Sequence, residues 1–494
     1  MTLPSPSEID DEFNRAWLSQ VRPDPWSPPV PQGRYNLVVV GGGTAGLVAA
    51  AGAAGLGAKV ALVERDRLGG DCLNTGCVPS KVLLAEARRL TTLPREQRFL
   101  EVMQIVRQRR SEISPHDSAE RFQRLGVDVF LGAGKFTSST TMTVEGIELQ
   151  FRNACIATGA RAGLPDVTGI QDVGVLTNET VFSLPCLPKT LCILGGGPIG
   201  CEMAEAFSEL GTDVTLLERG DRILGRDDPE AADLVRTSLE LRGVKIVTEA
   251  HVERVNLVQG EKSIAYLAEG KTNSLAVEHI LVSAGRQPNV EGLGLETLGI
   301  AFDKRVGVHV NDRLQTSLKH IYAAGDVCTS KKFTHHADFM ARLVLKNALF
   351  LGRSKVSQLV VPWCTYTSPE LAHVGISAEE VRGRGTEVTT LTVPFGEVDR
   401  AVLEGDERGF VRVHLKKGSG RILGATVVGP HAGDLISELT VAIQNGIEIQ
   451  QLSNSIHPYP TRADAIRKLG DVYNRTRLTP LVKKLFSAWL RFRR

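Results

Sequence analysis

The chain has 494 residues, 42% of them hydrophobic and 23% charged, with a formal net charge of +2 and eight cysteines. That length suffices for roughly three domains of soluble character. So balanced a charge leaves no electrostatic footprint for nucleic acid, which excludes that class of partner.

The chain opens MTLPSPSEIDDEFNRAW, without a charged-then-apolar leader, so the expected compartment is a reducing cytoplasm. Residues 21–33, VRPDPWSPPVPQG, are rich in proline, and residues 1–33 are expected to form an arm and not a packed domain. Leu37 to Ala58 carries no charge and is long enough to span a bilayer. Its glycine cluster predicts a strand, a turn and a buried helix instead.

That first unit places Gly41, Gly43 and Gly46 in a GxGxxG between strand and helix, with Glu64 ending the next strand. A second unit repeats the order with Gly195, Gly197, Gly200 and Glu218, and the first glycine precedes the acid by 23 residues in both. The first glycine permits the tight turn, the second admits a pyrophosphate to the backbone, and the third lets helix and strand touch. The acid then meets ribose hydroxyls, so two complete units predict two bound dinucleotides.

After the first unit comes GGDCLNTGCVPSK, with Cys72 and Cys77 four residues apart. A structural disulfide, half of a metal site and a redox pair all fit that spacing. A second ligand pair is missing, which weakens the metal reading, so no structural metal is expected. A disulfide kept in a reducing compartment is more often catalytic. The other six cysteines stand singly, mostly in apolar runs, and are expected as small buried hydrophobes.

ACIATGA, with Thr158 and Gly159, and HIYAAGDV, with Gly325 and Asp326, are apolar runs ending in glycine. A carboxylate placed like Asp326 suits a sugar alcohol. From Val360 onward, period-two alternation and glycine-bearing turns predict antiparallel strands, then a helix over DLISELTVAIQNGI and the element SIHPYPTRADAIRKLGDVYNRTR. The tail PLVKKLFSAWLRFRR sets Leu481, Val482, Leu485, Phe486 and Trp489 on one helical face, with Lys483, Lys484, Ser487 and Arg491 opposite. Such a basic amphipathic helix suits either an anionic membrane surface or its own dimer.

From about Tyr35 to Tyr473 these motifs together resemble the pyridine nucleotide-disulfide oxidoreductases, with GGDCLNTGCVPSK and HPYPT most similar to mercuric reductase-like members. The resemblance implies an α/β fold: two Rossmann-like dinucleotide-binding domains, for FAD and NAD(P)H, plus an α+β C-terminal dimerisation domain. It implies an FAD-binding domain split over 34–165 and 291–358, an NAD(P)H-binding domain over 166–290, an interface domain over 359–475 completing a partner's active site in a homodimer, and a basic tail over 476–494. It makes Cys77 the charge-transfer thiolate, Cys72 the exposed interchange thiol, and Lys81 and Glu202 an ion pair beside the flavin. Gly70, Lys81, Thr158, Gly159, Gly325 and Asp326 join the first glycine motif as FAD residues, and Gly285 joins the second as an NAD(P)H residue.

Three departures matter. Asp71 stands where most relatives carry threonine facing the FAD phosphates, and Pro198 where glutathione reductases carry a gating tyrosine. Tyr459 fills the slot of the catalytic histidine of dihydrolipoyl dehydrogenase, with His457 two residues earlier. Mercuric reductases also place tyrosine there, but usually add a vicinal cysteine pair that this chain lacks after Cys364. The expected function is NAD(P)H-driven reduction, NADH favoured, of a soft metal ion or small disulfide through Cys72 and Cys77. Dihydrolipoyl dehydrogenase is the first alternative. A membrane-associated electron-transfer flavoprotein with a quinone or protein acceptor, peripheral at the inner membrane face, is the second.

Overall fold

The computed structural model describes residues 9–377, 380 and 387–494. Backbone contacts divide the chain into two compact units. One comprises Met1–Gly195, Met203–Arg219 and Ala250–Leu359; the other comprises Gly196–Glu202, Gly220–Glu249 and Val360–Arg494.

In the first unit β1 (Tyr35–Val40) lies between β2 (Val60–Glu64) and β6 (Ile147–Ile156), parallel to both, and β3 (Val127–Leu131) extends the sheet beyond β2. A run of branched apolar residues such as YNLVVV suits a strand covered on both faces. Leu37 and Val39 indeed enter one core, and Val38 and Val40 the other. The long β6 changes partners along its length. Its first half pairs antiparallel with β5 (Thr141–Val144), itself paired with β4 (Gly134–Ser138), and its last residues pair parallel with Ile321–Ala323.

The uncharged segment Leu37–Ala58 forms β1, a turn and α2 (Thr44–Gly55), as its glycines predict. Helix α2 is built from small residues, and a Cβ on Gly52 would lie 2.4 Å from the Leu345 side chain. A methyl there would have to displace the Leu345 side chain, so the small residues let α2 pack closely on the helix Thr334–Leu349.

The segment before Gly33 is more than an arm. Residues 12–21 form α1 (Glu12–Val21), which buries Trp17 and Val21 completely in the first-unit core. The apolar positions of EFNRAWLSQV recur at helical spacing, and Asp11 caps the helix by accepting from the Asn14 N–H. Proline content masked this signal.

The second glycine motif also follows a strand. Thr190–Leu194 runs parallel to Asp213–Leu217 and to His279–Val282, and an antiparallel meander covers residues 251–277.

In the second unit five antiparallel strands stand in the order Trp363–Thr365, Glu370–Gly375, Ile422–Gly429, Phe410–Lys416, Val388–Pro394. Ile436, Leu439 and Ala442 of the helix Ala432–Asn445 share their core with Ala465, Ile466 and Leu469 of the helix Asp464–Arg477. The tail forms a helix, Pro480–Phe492, with no buried residue. Among the described residues no helix is long and apolar enough to cross a membrane.

Candidate functional site: a thiol pair on two short helices

The CxxxxC is divided between two helices. Cys72 sits in α3 (Gly70–Asn74) and Cys77 opens α4 (Cys77–Arg89). The break falls at Gly76, where a Cβ would lie 2.8 Å from the Asp71 carbonyl oxygen. Cys72 is half-buried and Cys77 is exposed, and no disulfide joins them.

The two thiols are electrostatically unequal. A hydrogen bond from Cys72 lowers the Cys77 pKa to about 6, helped by Thr334 and by the charge of Lys81 one turn along α4, and opposed by burial and Asp71. The same bond and burial push Cys72 up. Cys77 is therefore the thiolate of the reduced pair, and its place at a helix N-terminus favours the anion further. Thr334 Oγ1 lies 3.4 Å from Cys77 Sγ, a partner 257 positions away that no local pattern announces.

The loop is braced from beneath. The Trp17 indole N–H donates to Asn74 Oδ1 at 2.9 Å, and Asn74 Nδ2 donates to the Leu68 carbonyl at 3.0 Å. Arg110 lies over the Trp17 ring at 3.8 Å and donates to the Asn74 carbonyl at 3.1 Å and to Asn14 Oδ1 at 2.6 Å. Burial, then the neighbouring Arg67 and Arg107, lower the Arg110 pKa to about 9. Helix α1 thus holds the residue midway between the two thiols.

Asp71 is neutralised. Arg286 Nη2 meets Asp71 Oδ2 at 2.5 Å, and Asn178 Nδ2 and Thr75 Oγ1 both donate to Asp71 Oδ1, at 2.9 and 2.5 Å. Arg286 Nε is buried without a hydrogen-bond partner, 3.6 Å from Asp326 Oδ2. Burial raises the Asp326 pKa against the pull of Arg286 and Lys332.

Backbone meets backbone at the first glycine motif. Gly41 has φ +109, and a Cβ there would lie 2.3 Å from the Ala157 carbonyl oxygen. A Cβ on Gly46 would lie 1.8 Å from the Gly41 carbonyl oxygen, and one on Gly70 would lie 2.6 Å from Gly43 Cα. No side chain caps the N-terminus of α2, so its first N–H groups face a cradle suited to a pyrophosphate. Glu64 closes the turn by accepting from the N–H groups of Gly42 at 2.6 Å and Asp66 at 2.7 Å, although burial raises its pKa. These residues, with the orphaned Arg286 donor beside Asp326, fit FAD. Thr158 is otherwise engaged: its hydroxyl donates to the Asn289 carbonyl at 2.7 Å, and Gly159 accepts from the Asn289 N–H at 3.0 Å.

At the second motif Gly195 has φ +109, and a Cβ there would lie 3.0 Å from the Ser283 carbonyl oxygen. Gly197 precedes, and Gly200 lies within, the helix Pro198–Leu210. Glu218 directly follows its strand, and Gly285 has φ +152 before the strand Arg286–Pro288.

The remaining candidates belong to the second unit. Glu202 is buried and accepts from the Tyr366 N–H at 3.0 Å. The Tyr459 hydroxyl donates to Asp399 Oδ2 at 2.8 Å, and that bond raises its pKa. Both ring nitrogens of His457 are engaged, Nδ1 with the Ser455 carbonyl at 3.0 Å and Nε2 with Glu438 Oε1 at 3.0 Å. Of the other cysteines Cys155, Cys192 and Cys201 are buried as expected, whereas Cys186 is exposed. Among the described residues no group of three or more His, Cys, Asp or Glu is arranged to hold a metal ion.

The family model described as pyridine nucleotide-disulphide oxidoreductase matches residues 35–341, and the model for its dimerisation domain matches residues 361–469. The chain belongs to this family. The family is FAD-dependent and uses pyridine nucleotides, and the dimerisation domain supports a homodimer. A mercuric reductase of Staphylococcus aureus is 32% identical over 94% of this chain and 84% of its own length. A dihydrolipoyl dehydrogenase of Bacillus subtilis is 33% identical over 87% of this chain and 96% of its own. Among solved structures, the Cu(II) complex of the HOCl-induced flavoprotein disulfide reductase RclA from Escherichia coli has a TM-score of 0.80 and 29% identity, covering 89% of this chain and all of that one.

Proposed function

We propose that this pyridine nucleotide-disulphide oxidoreductase uses NADH to reduce a soft metal ion or a small disulfide at Cys72 and Cys77, in a homodimer divided into the FAD, NAD(P)H and interface segments set out above. The observation that carries the reading is the unequal thiol pair, with a tyrosine at position 459 in place of a basic histidine. FAD, held by Gly41, Gly43, Gly46, Glu64, Gly70 and Asp326, supplies two-electron transfer between nicotinamide and disulfide.

The chain's own residues account for the rest. The Cys72 thiol, once it gives up its proton, attacks one sulfur of a disulfide RSSR, forming a mixed disulfide and releasing RS⁻, which takes that proton. The Cys77 thiolate then attacks Cys72 Sγ, closing the Cys72–Cys77 disulfide and expelling the second RS⁻. The dithiol is oxidised by two electrons and the substrate reduced by two. A thiophilic dication is instead held by both sulfurs, ligands suited to soft metals. Tyr459, kept protonated by Asp399, makes a poor base near neutral pH, and its hydroxyl donates to a substrate sulfur only by leaving Asp399.

NADH is favoured because Glu218 suits ribose hydroxyls and repels a 2′-phosphate. Arg219 and Arg222 lie close by as the residues that would accept a 2′-phosphate instead, and Arg222 donates to the Gly225 carbonyl at 2.9 Å and lies 3.5 Å from Asp221. The test is a parallel assay of the FAD-loaded protein with Hg(II), Cu(II), glutathione disulfide and dihydrolipoamide plus NAD. Turnover of a thiophilic acceptor, lost in Cys72→Ser and Cys77→Ser, supports the reading. Robust dihydrolipoamide oxidation without response to metals replaces it with a dihydrolipoyl dehydrogenase. A higher kcat/KM for NADPH than for NADH refutes the reading of Glu218.

A further inference from the structure

The helix Pro480–Phe492 is the one long element of the described residues that buries nothing. Leu481, Leu485, Phe486 and Trp489 stand 55–68% exposed along one side. At 100° per residue these four fall within less than half of the helix circumference, and Lys483, Lys484, Ser487 and Arg491 fall on the other half. The Trp489 and Phe492 rings are tilted at 32° to each other, with centroids 6.2 Å apart, and make an aromatic end to the apolar side.

Charge decides what covers this face. After Asp471 the sequence has seven Lys or Arg residues and no Asp or Glu. Stacking the face on the same face of a second copy would bring two such clusters together without a counter-charge. An ordinary protein interface is depleted in lysine at its core, whereas an in-plane bilayer helix combines an apolar side containing Trp, Phe and Leu with flanking cations.

We propose that Pro480–Phe492 is a membrane-surface anchor, lying in the headgroup plane of an anionic bilayer with Leu481, Leu485, Phe486 and Trp489 inserted and Lys483, Lys484 and Arg491 at the phosphates. Each cation near an anionic surface strengthens such binding by roughly five-fold, so three together contribute about 100-fold. The anchor is independent of the acceptor reduced at the thiols.

The experiment is co-sedimentation of the FAD-loaded full-length protein with vesicles rich in phosphatidylglycerol and, separately, vesicles of phosphatidylcholine alone. The expected result is pelleting with the first only, released by salt. Binding should fall about 100-fold in a Lys483→Gln, Lys484→Gln, Arg491→Gln variant and be lost in Phe486→Ser, Trp489→Ser. Oligomeric size and NADH-dependent turnover should be unchanged in both variants. Equal partitioning of the unmodified protein and the variants, or pelleting with phosphatidylcholine alone, overturns the proposal. So does a smaller oligomer in either variant without vesicle binding by the unmodified protein, which assigns the face to a second copy.

Discussion

Trp17→Phe isolates the brace under the thiol loop. Phenylalanine keeps most of the apolar volume and leaves a ring beneath Arg110, but removes the indole N–H that reaches Asn74 Oδ1. Asn74 is only 5% exposed, so water cannot replace the donor without opening the loop. A buried acceptor left without its partner costs about 1–3 kcal/mol. If that cost falls on local opening, amide exchange speeds up roughly 5- to 150-fold. Hydrogen-exchange mass spectrometry should find the effect in peptides covering residues 69–77 and leave β1 and β6 protected. Alkylation of Cys72 in the reduced protein should accelerate in step. Unchanged exchange across 69–77 in a Trp17→Phe protein that melts normally would refute the claim that α1 holds the loop.

The thiolate of Cys77 should titrate near pH 6 in the reduced protein, so alkylation and ultraviolet thiolate absorbance both rise as pH increases through that value. Because this folded-state pKa is depressed, its contribution to stability is full above the unfolded thiol's pKa of about 8.5 and is lost as pH falls through about 6. Lys81→Met should move the titration upward, and Asp71→Asn should move it downward by removing a charge that opposes the thiolate; shifts of the opposite sign would overturn both assignments. Tyr459→Phe should slow reduction of a thiophilic acceptor while stopped-flow reduction of bound FAD by NADH stays unchanged. Tyr459→His should raise dihydrolipoamide oxidation, since a positioned general base is worth about 100- to 10,000-fold, and no gain would show that this position does not limit that reaction.

Both dinucleotide units are readable because their requirements are local: a turn that excludes Cβ atoms, a helix of small residues, an acid at a strand end. The thiol pair was readable for the same reason, since Cys72 and Cys77 are near neighbours in the chain. What braces the loop around them was not. Thr334, Arg286, Asn178 and Trp17 reach the loop from distant segments, and no periodicity or spacing connects them to it. Asp71 shows the limit most clearly. The sequence shows only an acid where the resemblance implies threonine, and the fold identifies Arg286 and Asn178 as its partners. Helix α1 was missed because the prolines of residues 23–31 dominate a composition-based reading of a short segment.

The convergence of Asn178 and Arg286 on Asp71 joins the chain on either side of the second glycine motif to the residue adjoining Cys72. Nucleotide binding that loosens either contact must weaken by the same factor when the thiol pair is in the state that tightens it, because linkage between two sites is reciprocal. Dissociation constants for NAD(H) should therefore differ between the dithiol and disulfide forms of the enzyme. If Asp71 carries that linkage, Asp71→Asn should bring the two constants together. An acid beside Cys72 would then serve as the gauge by which nucleotide occupancy is read at sulfur.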